Sequence, residues 1–193
     1  IRARWALLSS NIEVELREIV LRDKPREFLK ASNSGTVPCL QLQDKIIDES
    51  MDIMIWALRK NDPDDWLDMP AEGYRLINEV EEKFKPNLDK TKYATRYPQN
   101  DSNVSRSLVI EYLIDLDRKI KGEFLFGEQP KLADIAIFPF VRQFANIDIK
   151  WFNEFGWEKL QNWLKVFVES KMFDKSQKKF VQWRPNANPV FFP

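Results

Sequence analysis

The residues best suited to chemistry stand in one short stretch, GTVPCLQLQDKIIDES, from Gly35 to Ser50. At its end, Glu49 and Ser50 mark the start of a helix. A helix N-terminus leaves backbone N–H groups without partners and carries the positive end of the helix dipole, so it can hold a carboxylate. An acid beside it pairs with an ammonium. Together they form a receptor for a free α-amino acid group, a zwitterion. The plainer reading of the same residues is structural, with the Ser50 hydroxyl as N-cap and Asp52 suiting the dipole. Pro38, earlier in the stretch, lacks the N–H that a central strand needs. It fits either an edge strand or a cis Val37–Pro38 bond, which turns the Val37 N–H and C=O outward to bind an extended peptide. Cys39 follows on an apolar strand and reads as a buried, inert thiol. A reactive cysteine needs a partly exposed, electropositive setting.

What the chain lacks narrows the chemistry further. It has no histidine and a single cysteine in 193 residues. That excludes a Ser-His-Asp triad, a Cys-His dyad and any zinc site of histidines or four thiolates. NDPDD, Asn61 to Asp65, lacks the spacing and distal Glu of a calcium loop, so no metal is expected. Catalysis must rest on carboxylates, hydroxyls, a thiol, backbone dipoles or a bound cofactor. Lys plus Arg equals Asp plus Glu at 30 each, so no strong field favours nucleic acid or an anionic membrane. No apolar run approaches the ~20 residues of a bilayer span. The single cysteine fits a reducing compartment, and the expected location is cytoplasmic.

The elements that must position these residues follow from periodicity. Ile1 to Ser10 sets Ile1, Trp5 and Leu8 on one helical face, and Asn11 suits the position after the helix. Ile12, Val14 and Leu16 alternate with Glu13, Glu15 and Arg17, which predicts a half-buried strand over Ile12–Val20. Pro25 suits the first turn of a second helix anchored by Phe28 and Leu29. Thr36–Leu42 and Lys45–Ile47 read as an antiparallel hairpin. Ser50–Lys60 is apolar nearly all round and should be buried on more than one side. Asn61 to Pro70 breaks the pattern. Beyond it only helices are expected, near Gly73–Lys85, Asp101–Lys121, Leu132–Asn146, Trp157–Ser170 and Asp174–Phe180. The Trp and Phe residues of Phe138–Trp163 should form core, KSQKK a solvated face, and the proline-rich tail an irregular surface segment.

TVPCL…IIDES resembles the VPxL…ES signature of the glutathione transferase superfamily. RDKPREFLKASNSGTVPCL is similar to that family's KPEWFL…NP.G.VP.L segment, and KLADIAIFPFVRQF to its SxADIAIFP helix. Lys24 before Pro25, and RAR opening the first helix, bring the likeness nearest to the omega and glutaredoxin-like branches. The resemblance implies a thioredoxin-like N-terminal domain (residues 1–61, here lacking its first strand), a linker (62–72) and an all-helical C-terminal domain (73–193). It implies that Val37, before a cis Pro38, bonds the cysteinyl backbone of glutathione. Glu49 and Ser50 would hold the γ-glutamyl amino and carboxylate groups, and Lys24 would approach the glycyl carboxylate. Asp134 matches the family's helix-capping acid, but Lys131 replaces the usual Ser or Thr partner, so that capping box is incomplete.

The relatives also carry a strand and a CPxC or CPxA motif ahead of the first helix. Both are absent here, so the catalytic residue is expected upstream of Ile1 and the chain is expected to be a fragment of a longer one. The implied activity, by a homodimer, is thiol conjugation of glutathione to a small electrophile, or thiol transfer that reduces mixed disulfides or dehydroascorbate-type substrates. Tyr93, Arg96 and Tyr97 either border a co-substrate pocket or are ordinary surface and packing residues. The alternative function is a non-catalytic regulatory or scaffold protein of the same fold that docks a protein partner.

Overall fold

Pro25, Gly35 and Pro38 decide where regular structure stops in the first part of the chain. The computed structural model describes residues 1–193, and they form two compact units, Ile1–Asp64 with Lys171–Pro193, and Asp65–Ser170. The domain boundaries expected above follow chain order. Packing groups the chain differently, because the last segment lies with the first unit.

In that unit, α1 (Arg2–Ser9) buries Ala3, Trp5, Ala6 and Leu7, while Ile1 and Leu8 are only half-buried. The apolar face is therefore turned from the one expected, towards the two alanines that allow close approach to α3 (Ser50–Lys60). Helix α1 ends as Asn11 predicts: its φ of 49° is left-handed. Asn11 N–H donates to Leu8 O at 3.3 Å and Ile12 N–H to Leu7 O at 3.1 Å, closing both carbonyls of the last turn. Helix α3 buries Ile53, Met54, Ala57 and Leu58, and Ala3, Ile53 and the strand residue Leu40 form a small core with Val14, Leu42, Ile47 and Trp56 against it.

The strands are shorter than the alternation suggests. Only Val14–Glu15 of the Ile12–Val20 stretch forms a ladder, β1. Its partner is the far end of the chain: Phe191–Phe192, β4, pairs antiparallel with it, Val14 opposite Phe192. Leu16 N–H extends this pairing to Val190 O at 2.7 Å, and Trp183 N–H donates to Glu18 O at 2.7 Å. The tail is irregular and exposed over residues 184–190, as its prolines suggest, but its end is anchored, since Phe192 is buried and Arg4 lies over both Phe180 and Phe192. Arg4 also bonds Glu18, Ser176 O and Lys178 O. Lys171–Gln177, α10, joins the tail to this unit. Arg26–Ala31 is α2, and Leu40–Gln41 and Ile46–Ile47 are the hairpin strands β2 and β3.

The second unit is all helical, as expected: α4 (Ala71–Glu79), a π-helical turn over Val80–Phe84, α5 (Lys85–Lys92), α6 (Ser102–Lys119), α7 (Leu132–Ala145), α8 (Ile149–Glu154) and α9 (Glu158–Val168). Helix α5, beyond its first residue, and the short helix α8 have no counterpart in the sequence reading. Trp66, placed in the linker by sequence, is buried, and its carbonyl receives the Leu132 N–H at 2.8 Å. Phe138, Trp163 and Phe167 pack as an aromatic core with ring centres 5.0–6.5 Å apart. Asp134, fully buried, accepts N–H bonds from Leu125, Lys131 and Trp163 Nε1. The capping box has only this half, because the Lys131 ammonium has no acceptor and donates instead to Asp65 O.

Candidate functional site

The hairpin sets the geometry. β2 and β3 are antiparallel, with Leu40 opposite Ile47 and Gln41 opposite Ile46. Continued towards the open end of the hairpin, this register sets Cys39 against Asp48, Pro38 against Glu49 and Val37 against Ser50. The strand edge and the helix start named from the sequence therefore come to the same end of one hairpin.

At that end the Val37–Pro38 bond is cis, and Val37 is 46% exposed. The Val37 N–H and C=O take no hydrogen bond within the chain, so a peptide-like edge faces solvent. Ladder pairing starts only at Leu40, two residues past the proline that lacks a donor. Across the hairpin, the helix begins one residue earlier than a Ser50 cap requires. Glu49 is the N-cap, with extended φ and ψ of −89° and 134°, and no side chain caps the first turn. The capping role read for Ser50 is thereby corrected: in a helix that opens on Ser50 itself, the hydroxyl lies inside the first turn and bonds no amide there. The exposed Glu49 carboxylate and the Ser50 hydroxyl both lack a partner in the chain. Two groups of ligand-binding character, beside the free amides of an eleven-residue helix, are left for something else.

Lys24 reaches the same end. Its Nζ donates to Gly35 O at 2.7 Å, which ties the segment before α2 to the turn ahead of Val37. Gly35 has φ of 63°, a left-handed conformation that a side chain disfavours. The turn is knitted by hydroxyls: Ser32 Oγ accepts the Gly35 N–H at 3.0 Å, Ser34 Oγ accepts the Thr36 N–H at 3.1 Å, and Ser34 and Thr36 hydroxyls meet at 2.7 Å. Asp48 closes this network from β3, accepting the Ser34 N–H at 3.1 Å. Sequence reasoning passed over Asp48 and Ser34. The available signal was the hairpin register, which sets Asp48 beside the turn residues and not with the helix it precedes.

Cys39 is half-buried, and its thiol is pushed up to about 11 by burial first, then by the Asp48 carboxylate facing it. A thiol so disposed is a poor nucleophile at neutral pH. An open groove of about 650 Å³ runs along β3 and α3. Of the ligand-binding residues named from sequence it takes in only Glu49, with Asp52 nearby and Trp56 and Arg59 further along. Tyr93 stands in the helical unit with its ring flanked by the Arg96 guanidinium at 4.6 Å and the Lys92 ammonium at 5.0 Å. No group of His, Cys, Asp and Glu side chains is placed to hold a metal ion, and no helix is long and apolar enough to cross a membrane.

Residues 1–66 match the family model of the glutathione S-transferase N-terminal domain, and residues 101–165 that of its C-terminal domain. The chain belongs to the glutathione S-transferase family. Its architecture is the glutathione S-transferase fold, a thioredoxin-like N-terminal domain with a small sheet and an all-helical C-terminal domain. The N-terminal match spans Lys24, Val37, Pro38, Glu49 and Ser50, and the C-terminal match spans Asp134. Among curated proteins, the chain is 26% identical over 131 residues to glutathione S-transferase DHAR3, chloroplastic, of Arabidopsis thaliana, an alignment covering 67% of this chain and 47% of that protein. The chain thus spans about half the length of this relative. Among solved structures, glutathione transferase Omega 3C of Trametes versicolor superposes with a TM-score of 0.74 at 19% identity, over 89% of this chain and 76% of that one. The class Gtt2 glutathione S-transferase of Vibrio parahaemolyticus gives 0.71 at 21% identity, over 91% and 90%.

Proposed function

We propose that this glutathione S-transferase family chain binds glutathione at the open end of the β2–β3 hairpin. Val37 meets the cysteinyl backbone, Glu49 the γ-glutamyl ammonium, Ser50 and the α3 amides its carboxylate, and Lys24 the glycyl carboxylate. The observation that carries this reading is the shared end of the hairpin, where an unpaired backbone edge stands opposite an unpaired acid and hydroxyl. Those groups are complementary, one for one, to an extended peptide with a zwitterionic end. The protein is proposed to act as a cytoplasmic homodimer in glutathione-dependent transfer or thiol-disulfide exchange. Glutathione serves as co-substrate with a small electrophile or disulfide. The groups that would contact glutathione in this chain bind and orient it. Cys39, whose thiol is held neutral, is not the reacting group.

Titration calorimetry with glutathione tests the reading. The chain should bind, and Glu49→Gln should weaken binding by about tenfold or more, as loss of a charge-assisted hydrogen bond does. The folding midpoint should stay put, because the Glu49 side chain has no partner in the chain and the substitution keeps its backbone, whose carbonyl accepts the Ile53 N–H. A wild-type protein that ignores glutathione, or a Glu49→Gln protein that binds it unchanged, overturns the proposal. The first of these results, combined with co-purification in a protein complex, would favour the scaffold function instead.

A further inference from the structure

We infer that Asp48 is a positioning residue for the glutathione-binding end, tying the turn that leads into Val37 to the start of α3, where Glu49 and Ser50 stand. The inference rests on the glutathione-binding reading above and adds a residue that does not itself meet the ligand.

The argument starts from what the register leaves unsupported. β2 and β3 share only the Leu40–Ile47 and Gln41–Ile46 pairs, so the ladder has stopped before it reaches Val37 or Ser50. A hairpin so short splays readily at its open end. Distance between the two halves of the receptor must then be held by something other than backbone pairing. Asp48 is the side chain placed to do so. Its Oδ2 accepts the Ser34 N–H at 3.1 Å. Its Oδ1 is enclosed and meets no hydrogen bond, and the Ser32 hydroxyl and Cys39 thiol lie close to the carboxyl. The carboxyl is held below its usual range: burial opposes ionisation, but Ser32, the Ser34 N–H, Cys39 and the Asn33 N–H together outweigh it. An ionised carboxylate is thus gathered around by one turn.

That turn is fixed in its own right and passes the constraint on. The buried Ser32 hydroxyl holds the Gly35 N–H, Ser34 Oγ holds the Thr36 N–H, and Lys24 holds Gly35 O. Thr36 leads directly into Val37. Asp48 leads directly into Glu49. One carboxylate, next to Glu49, therefore holds the turn that leads through Thr36 into Val37, and a tripeptide that must touch both halves at once needs their spacing set beforehand. Preorganisation of this kind strengthens binding of the whole ligand and leaves binding to either half alone unchanged.

The test compares wild type with Asp48→Ala, Asp48→Asn and, as a milder break of the same tie, Ser32→Ala. Two probes are titrated: glutathione, and γ-glutamyl methylamide, which has the amino acid end and no cysteinyl unit. Amide hydrogen exchange at Ser34 and Gly35 is followed in parallel. Asp48→Ala should weaken glutathione binding about tenfold and leave the fragment within about twofold. Exchange at Ser34 should quicken, while α1 and α3 amides keep their protection. Asp48→Asn, whose amide oxygen still accepts from Ser34, should recover most of the affinity. Ser32→Ala should show the same selectivity at smaller size. Unchanged glutathione affinity in Asp48→Ala, or equal loss for glutathione and fragment, overturns the positioning role while the binding reading stands. A wild-type chain that binds neither probe overturns both.

Discussion

The Lys24 ammonium donates to the Gly35 carbonyl at 2.7 Å, so a charge from the segment ahead of α2 is fastened to the turn that leads into Val37. An ammonium has further N–H donors to offer a ligand carboxylate. Lys24→Met keeps the stem and removes the charge. It should weaken glutathione binding about tenfold, the loss of one charge-assisted hydrogen bond of about 1.5–3 kcal/mol reduced by solvent exposure. Glutathione esterified on its glycyl carboxylate should bind wild type and Lys24→Met alike. If acid and ester lose affinity equally in the variant, Lys24 acts only through the turn and not on the ligand.

The parts of this site that were legible in the sequence are those encoded locally. A proline in a strand and an acid-hydroxyl pair at a helix start each carry their conformational meaning within a few residues. The failures are non-local. Val14–Glu15 pairs with Phe191–Phe192, at the opposite end of the chain, and alternation around Val14 holds no information about which segment covers its edge. The tail is surface, as its three prolines suggest, but nothing local marks Phe192 as the one residue buried beside Phe180 and Arg4. Asp48 was missed for the same reason. Its partner is a backbone N–H that faces it only because Ser32 and Gly35 bend the turn. The helix bounds Ser50–Lys60 were legible, but the cap lies one residue earlier, at Glu49, within ordinary variation at a helix end, and that residue decides whether the Ser50 hydroxyl caps the helix or is left without a partner.

Cys39 offers a pH readout of the same hairpin. Burial, with the facing Asp48, raises its thiol to about 11 from an ordinary 9.0. As the chain's one cysteine, it reports without ambiguity. Alkylation by iodoacetamide should be slow at pH 8, rise about tenfold per pH unit because the thiolate reacts, and level off only near pH 11. The folded state holds this proton more tightly than the unfolded state does. Its stabilising effect is therefore complete below about pH 9 and is lost as pH rises towards 11. Asp48→Asn should shift the alkylation profile to lower pH. A profile that levels off near pH 8.5 would contradict the environment described for Cys39.

The tail strand should carry real stability for the first unit. Phe192 is 3% exposed and packs with Phe180 under Arg4, whose guanidinium also bonds Glu18 at 2.7 Å. Phe192→Ala should cost about 3 kcal/mol, the lower end for truncating a buried Phe, since a chain end can partly collapse into the space. Arg4→Ala should cost less, about 1 kcal/mol, through lost stacking and partly screened charge. Urea unfolding measures both. The glutathione affinity of folded Phe192→Ala should match wild type, because the tail pairs with β1 and not with the β2–β3 hairpin. A loss below about 0.5 kcal/mol for Phe192→Ala would mean that the tail only rests on β1.

In the helical unit, one carboxylate holds three segments together, and its worth can be divided. Asp134 Oδ1 accepts the Leu125 N–H at 2.9 Å and Trp163 Nε1 at 2.8 Å, and Oδ2 accepts the Lys131 N–H at 2.9 Å. The loop before α7, the first turn of α7 and helix α9 thereby meet at a group with no exposure to water. Burial favours its neutral form, raising the carboxyl above its ordinary range against the pull of those donors. Trp163→Phe removes one donor and keeps most of the ring packing with Phe138 and Phe167, so it should cost about 1–2 kcal/mol. Asp134→Ala leaves buried donors without an acceptor and should cost about 3–5 kcal/mol. In the double variant the costs should fall short of additive by about 1–2 kcal/mol, because the Trp163 bond is counted in both single changes. Strict additivity within about 0.5 kcal/mol would show that the indole N–H contributes nothing to Asp134, and that the helix start is held by Leu125 and Lys131 alone.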